Sequence, residues 1–437
     1  MKAILSEDGS SEKLVKRTAC LFMGAAHIRY FKDRLTGCFF ALIELVTLLL
    51  IPFWVQKIKG LITLGDPHPE LAVKFRDNSV FMMIDGVIAL AILCIVVLLY
   101  VMSVKDAMER YKKFCIRGSI SEKQRGLSDK VFPVAGLLPA VILILFFVVV
   151  PLVFSALVAF TDYSNPEHIP PNNLVNWVGM QNFADLFGGK ADWAVAFGRT
   201  AVWTLVWAFF ATFTCFFGGF ILAAMLQSRR VRIAPVFRSI FILPYAVPSI
   251  VSMLVWKNLL NGSFGIVNRT LMQWGWISGP IPWLSDTGIC RVVCIVINLW
   301  AGFSYFMLLT MGSMTAIPSD IVEAARIDGA SPFQIFRKIT LPLVLFQTMP
   351  LLIMGFMHNI NNFGAIYFLT GGLPEAADST VTSSGSTDIL ITWIYKLTMA
   401  MMKYNYASVL AIVIFLVMAP FAILVFRNTK SYKEGEL

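Results

Sequence analysis

The polar residues able to do chemistry in this chain are few and narrowly placed. The run His358-Asn359-Ile360-Asn361-Asn362-Phe363 interrupts a stretch otherwise made of Leu, Met, Phe and Ile, and Trp300-Ala301-Gly302-Phe303-Ser304-Tyr305 lies at similar depth in the apolar run before it. On a helix Asn359 and Asn362 are i, i+3 and share a face, with His358 and Asn361 on the neighbouring one. Amides are costly in lipid, so these must face protein or a wet cavity. Two uses fit. Aromatic faces beside amide donors and acceptors suit a sugar, which presents hydroxyls around its rim and C–H patches on its faces. The same side chains also serve as hydrogen-bonded glue between helices, at roughly 1 kcal/mol each. The residues alone leave both uses open.

Other chemistries lack their residues. GxxxxGK[ST], the loop whose backbone amides cradle nucleotide phosphates, is missing, and Gly189-Lys190-Ala191 is only a fragment of it. The chain is therefore not expected to bind ATP, and energy must enter through a partner. From residue 133 onward no Asp or Glu lies inside an apolar run; Asp162 marks an edge. This weighs against the rival reading, an ion-coupled secondary transporter acting alone, because a coupling ion commonly binds an ionisable group at mid-membrane, although backbone carbonyls can serve sodium. Seven cysteines form no CxxC pair, and Cys290 and Cys294, on one helix face without histidine or further thiols, read as small packing residues. No catalytic set, metal or cofactor is expected. The net charge of +10 does not point to nucleic acid, since the bases flank apolar runs and form no single stripe.

The elements that position these residues are membrane spans. With 57% hydrophobic and 14% charged residues gathered in blocks, the chain reads as an all-α integral membrane protein. Eight spans of roughly 20 residues or more are expected, at about 35–54, 80–102, 133–160, 199–226, 238–260, 291–315, 343–369 and 405–427. With the N-terminus inside, 25 of the 36 Lys and Arg fall on the inner side, which places both termini and residues 316–342 in the cytoplasm. The first 30 residues are polar and basic, so no cleaved signal peptide is expected. The layout is a cytoplasmic tail (1–34), two spans (35–102), a basic cytoplasmic linker (103–132), a six-helix core (133–427) and a cytoplasmic tail (428–437). The linker reads as a solvated, topology-setting face in preference to a segment lying near anionic headgroups. Pro151, Pro244, Pro248, Pro350 and Pro420 fall inside spans, where each removes a helix hydrogen bond; Pro244 and Pro248 either shape a gate or simply kink the fifth span.

The loop at 316–342 has its own grammar. Asp320 is placed to cap a first short helix with Glu323 three residues on, Gly329 sits where that helix must end, and Ser331, Pro332 and Gln334 restart a second one. Two such stubby helices are marginal alone and need something to dock against. The pattern Glu323-Ala324-Ala325, three residues, Gly329, nine residues, Ile339-Thr340-Leu341-Pro342 resembles the EAA loop of the membrane subunits of bacterial binding-protein-dependent ABC importers. In that family the loop is a coupling helix pair that inserts into a cleft on the ATP-binding subunit, so Glu323, Ala324, Ala325, Gly329, Ile339, Leu341 and Pro342 are the expected coupling residues.

Six core spans match this importer family, and two extra N-terminal spans are similar to the maltose and maltodextrin permeases within it. The resemblance implies residence in the bacterial cytoplasmic membrane, with a second homologous permease, two ATP-binding subunits and an extracytoplasmic sugar-binding protein as partners. It also implies a sugar site lined by Gly302, Tyr305, Gly355, His358, Asn359 and Asn362. Gly355 matches a position where the family can carry serine, and His358 departs from a phenylalanine. Asn176-Trp177-Val178-Gly179-Met180-Gln181-Asn182-Phe183 is similar to a stretch recurring at this point in sugar permeases, while the large extra domain found here in enterobacterial maltose permeases is missing. Docking of the binding protein is then expected on shorter loops, Asn261–Arg291 and Gly371–Tyr404, the second of them rich in Ser, Thr and Gly at Ser379–Asp388 and expected to be a flexible loop or contact surface.

Overall fold

A computed structural model describes residues 9–117, 136–137, 139–227 and 231–427; the expected linker segment 118–132 and the tails at 1–8 and 428–437 lie outside the described residues. Among the described residues the regular structure is helical, with isolated β-bridges pairing Thr161 with Trp177 and Ser164 with His168. The chain packs as two units, Met1–Trp177 and Val178–Leu437.

The first unit holds α1 (Gly9–Leu21), α2 (Ala25–Arg29), α3 (Arg34–Leu49), α4 (Ile51–Thr63), α5 (Ser79–Arg117) and α6 (Pro139–Val158). Pro52, in the first turn of α4, has no N–H to continue the helix of α3, so the expected first span is a pair bent by 58° that reaches Thr63. At about 1.5 Å per residue α5 is nearly 60 Å long, roughly twice the hydrocarbon thickness of a bilayer. The expected second span and the start of the basic linker are thus one helix. Against its C-terminal half fold α1 and α2, with Val15, Ala19, Ala26, Tyr30 and Phe31 packed on Ala107 and Tyr111. The stretch expected to be a tail is therefore structured from Gly9 onward.

The second unit holds α7 (Ala191–Gln227), α8 (Ala234–Ala246), α9 (Ser249–Leu259), α10 (Thr287–Thr315), α11 (Ser319–Ile327), α12 (Pro332–Ile360), α13 (Phe363–Tyr367), α14 (Leu390–Met399) and α15 (Tyr404–Arg427). Its spine is α7 on α10. A Cβ on Gly219 would lie 2.5 Å from both the Phe303 carbonyl oxygen and the Met307 nitrogen, so the two backbones approach as closely as glycine permits. The expected fifth span is broken: Pro248 pushes Val247 into an extended conformation (φ −85°, ψ 131°), and α8 and α9 diverge by 89°. Six of the described helices are long and apolar enough to cross a membrane, and the bent pairs α3–α4 and α8–α9 make eight if each crosses once.

Two prolines are handled in the same way. A π-turn at Leu145–Val149 ends two residues before Pro151, and another at Phe336–Thr340 ends two residues before Pro342. Proline has no N–H for the i−4 carbonyl and its ring presses on that carbonyl; the wider turn relieves the clash and lets the helix continue. As a result α12 passes without interruption from the polar loop into the apolar run. The expected seventh span starts eleven residues earlier than position 343 and stops at Ile360 instead of 369.

Because Gly219 meets backbone and no movable side chain, Gly219→Val is expected to force α7 and α10 apart at a cost of about 1–3 kcal/mol or more. Thermal unfolding of the detergent-purified chain should show the loss, with Gly218→Ala, which meets only the tip of Leu299, much milder.

Candidate functional site

The expected coupling loop takes the helix–turn–helix form, with two changes. The cap of α11 is Pro318 and makes no side-chain bond; Asp320 lies inside the first turn, where its charge faces the helix N-terminus and accepts from Ser319. The reason is register: α11 begins at Ser319, two residues too early for Asp320 to sit outside it as its cap. The second change is that the restart is no short helix but the first turns of α12. Gly329 ends α11 at φ +77°, with Ala330 donating to the Ala325 carbonyl at 2.9 Å. Ser331 and Gln334 form the expected capping box, Ser331 donating through its backbone N–H to Gln334 Oε1 at 2.7 Å and its hydroxyl accepting from the Gln334 N–H at 3.3 Å. Glu323 and Ala324 are exposed, Ile339 and Leu341 are half-buried at the π-turn, and Pro342 follows. The loop also presents Ile327 at 86% and Phe333 at 67% exposure, large apolar side chains that solvent alone does not favour.

The polar cluster lies at the far end of α12, about 40 Å from Pro332 at 1.5 Å per residue. Asn359 is buried: its Nδ2 donates to Thr212 Oγ1 on α7 at 2.9 Å, its backbone carbonyl accepts from Trp207 Nε1 at 3.0 Å, and its Oδ1 accepts from Asn362 Nδ2 at 3.3 Å. Asn362 in turn caps α13, its Oδ1 accepting from the Ala365 N–H at 3.3 Å. The two asparagines are thus joined across a helix break and not, as expected, set along one helix face. One amide N–H on each has no acceptor among the described residues. Gly355 lies one turn earlier beside Phe306 and Thr212, where a Cβ would be 3.1 Å from the Phe306 ring.

The remaining expected lining residues are on α10. Gly302 is part of the α7–α10 contact, where a Cβ would sit 2.7 Å from Cys215 Sγ, so packing already accounts for its small size. Tyr305 is exposed, its ring 6.2 Å from that of Tyr245 at the α8–α9 break, and Ser304 donates to the Phe241 carbonyl. Phe306, 5.2 Å from Tyr305, connects this aromatic wall to Gly355. His358 is exposed and, among the described residues, forms no hydrogen bond or ring contact with these side chains; Asn361, also exposed, donates to Met418 Sδ on α15. Cys290 and Cys294 are buried in the apolar cluster of Trp203, Trp207 and Ile297.

Of the two forms expected for the Ser379–Asp388 stretch, a flexible loop or a contact surface, the first does not hold. The stretch is a buried, hydrogen-bonded cap, because its hydroxyls and carbonyls meet charged side chains from distant helices. Arg199 of α7 forms a bidentate ion pair with Asp378 and donates to the Ser384 carbonyl at 2.8 Å. Arg291 of α10 donates twice to the Ser386 carbonyl and lies over the Trp203 ring at 4.7 Å. Asp388, fully buried, takes an ion pair from Lys396 at 2.6 Å and bonds from the Gly385 N–H and Thr392 hydroxyl. Burial pushes its carboxyl above the usual range against the pull of Lys396. Asp378 also loses water, yet the Arg199 guanidinium holds its carboxyl below that range. The only sequence signals were unpaired: two arginines at span edges and two aspartates in a Ser/Thr-rich run. Beside the cap, Lys190 bonds Asp185 at 2.8 Å and Tyr406 at 2.9 Å, so the residue that looked like a fragment of a phosphate loop belongs to an ion pair.

Removing either half of the Arg199–Asp378 pair strands the other. Arg199→Gln and Asp378→Asn are each expected to destabilise the cap by about 3 kcal/mol, read as faster amide exchange across 379–388. The folded carboxyl of Asp378 titrates below its unfolded value, so its contribution is present above the ordinary carboxylate range and is lost as pH falls through the lowered value.

Comparison with known proteins accords with this geometry. Residues 216–429 match the family described as binding-protein-dependent transport system inner membrane component. The galactooligosaccharides transport system permease protein GanP of Bacillus subtilis (strain 168) is 35% identical over 97% of this chain and 95% of its own length. The maltodextrin transport system permease protein MalC of Streptococcus pneumoniae serotype 4 is 31% identical over 92% and 93%. The maltose/maltodextrin permease MalF of Escherichia coli (strain K12) is 37% identical over 60% of this chain but only 51% of its own, longer length. A chain of the bacterial alginate ABC transporter crystallised with its pentasaccharide-bound periplasmic protein shares the fold, with a TM-score of 0.56 at 20% identity over 70% of this chain and 97% of that one. With a relative matched along almost its whole length, the chain belongs to the binding-protein-dependent transport system inner membrane component family, alongside permease proteins of oligosaccharide transport systems.

Proposed function

We propose that this chain is the membrane-spanning permease subunit of an ATP-driven importer that moves a neutral oligosaccharide, a maltodextrin or a galactooligosaccharide, by alternating access. In this reading the chain crosses the membrane eight times, two spans ahead of a six-helix core at 133–427, with both termini and the 316–342 loop in the cytoplasm. A second homologous permease, two ATP-binding subunits and an extracytoplasmic sugar-binding protein complete the assembly. Residues Glu323, Ala324, Ala325, Gly329, Ile339, Leu341 and Pro342 transmit the stroke of the ATPase, and Ile327 and Phe333 add apolar anchors. Gly302, Tyr305, Gly355, His358, Asn359 and Asn362 line the sugar path.

The observation that carries the mechanism is α12, one helix of 29 residues with the exposed loop at one end and Asn359 at the other. A displacement of the loop reaches the asparagines along a helix that carries a π-turn and Pro350 but no break. The site chemistry supports a neutral ligand, since amides, aromatic rings and one histidine supply it and no Lys, Arg, Asp or Glu is among them. The free amide N–H groups match sugar hydroxyls. His358 and Asn361 stand exposed on the single chain, which fits a path completed by the second permease or filled with water. An ion-coupled carrier acting alone has less support, because the relatives matched along their full length are transport-system permease proteins.

Reconstitution with the companion subunits, screened with a panel of oligosaccharides, tests the reading: uptake should need ATP and the binding protein, and uptake driven by an ion gradient in the isolated chain would refute it. Glu323→Lys and Gly329→Pro are each expected to cut ATP-driven uptake at least tenfold while the asparagine site and assembly persist. Asn362→Leu removes the α13 cap, about 1 kcal/mol, and Thr212→Val frees the Asn359 amide. If the amides bind sugar, Asn359→Leu should change substrate preference whereas Thr212→Val alters only stability; equal effects from both would assign Asn359 to packing.

A further inference from the structure

We propose that α1, α2 and the C-terminal half of α5 form a platform that binds anionic phospholipid headgroups of the cytoplasmic leaflet. Residues 9–35 and 103–115 carry ten Lys and Arg against four Asp and Glu. Two of those acids are consumed inside the platform. Arg110 bridges Asp106 at 2.7 Å and Asp33 at 2.9 Å, and fully buried His27 meets Asp106 at 3.0 Å. Lys13, Lys16, Arg17, Lys32, Arg34, Lys105, Lys112 and Lys113 are exposed, and among the described residues none of them forms an ion pair. The internal network thus leaves the outer surface strongly cationic.

Depth and apolar content select a membrane over bulk solvent as the partner. The apolar run of α5 ends near Met102, and Tyr100 Oη donates to the Cys20 carbonyl at 2.7 Å, which pins the end of α1 at the level where the span leaves the hydrocarbon. Leu14, Leu21 and Leu35 stand 45%, 72% and 83% exposed between the basic residues. A helix buried on one side by Val15 and Ala19 and showing leucines and lysines on the other is the pattern of an interfacial amphipathic segment. Each such cation near an anionic surface strengthens binding about fivefold, and the effect is screened by salt.

The inference rests on the cytoplasmic placement of the N-terminus only for its choice of leaflet, so nanodiscs with both faces accessible separate the two. The assembled importer is placed in discs of phosphatidylcholine alone or with one third phosphatidylglycerol, and amide exchange of residues 9–33 is followed. Expected is slowing of exchange by at least fivefold with phosphatidylglycerol, reversed by half-molar salt and lost in Lys13→Gln/Lys16→Gln/Arg17→Gln. Unchanged exchange in residues 104–111 reports that the variant still folds. Equal exchange in both lipids overturns the proposal, and so does protection that follows the presence of the ATP-binding subunits and ignores the lipid. Labelling of an introduced cysteine from either side of sealed vesicles reads the leaflet independently.

Discussion

The contact of α7 with α10 is the constraint on which the second unit depends. Where Gly219 stands, the two backbones come within the reach of a single missing methyl group, and at Gly302 the Cys215 side chain takes the space a methyl would fill. From this spine the rest is hung by polar bonds between distant segments: Asn359 to Thr212, Trp207 to the Asn359 carbonyl, Arg199 to Asp378 and Arg291 to Ser386. In an apolar surround each unmade bond of this kind is expensive, so such bonds fix register as much as they add stability. The asparagines therefore hold helices together while each keeps one amide N–H without an acceptor among the described residues, so the two uses that the residues left open are compatible.

The second constraint is that the polar loop and the asparagine cluster share one helix. A proline at the junction would ordinarily hinge it, and the π-turn at Phe336–Thr340 absorbs Pro342 without a break. The same arrangement precedes Pro151, whereas Pro350 and Pro420 lie within regular α-helix. Pro248 received no such turn, and there the helix parts by 89°.

What could be read from the sequence was what local rules determine. The stop at Gly329 and the capping box of Ser331 and Gln334 depend on neighbours within a few residues, and they stand as expected. The apolar runs that form α10 and α15 begin within four residues of their expected starts, because hydropathy marks where lipid ends. Hydropathy does not mark where a helix ends, which is why α5 and α7 overrun their spans and α12 begins inside the loop. The cap at Ser379–Asp388 was illegible for another reason. Its partners Arg199 and Arg291 lie far away in the chain, and a Ser/Thr/Gly-rich run looks the same whether water or arginine satisfies it. The residues proposed to face the sugar were named by resemblance; Thr212 and Trp207, which hydrogen-bond Asn359, belong to no motif.

The buried cap also bears on how relatives of this chain can be recombined. Its charges are balanced in pairs contributed by segments nearly two hundred residues apart, Arg199 with Asp378, while Asp388 and Lys396 balance each other within it. A chimera that exchanges only the stretch from Gly371 to Tyr404 keeps the second pair and orphans the first. Modular exchange of this region thus has natural cut points, and they enclose the start of α7 and the start of α10 together with the loop.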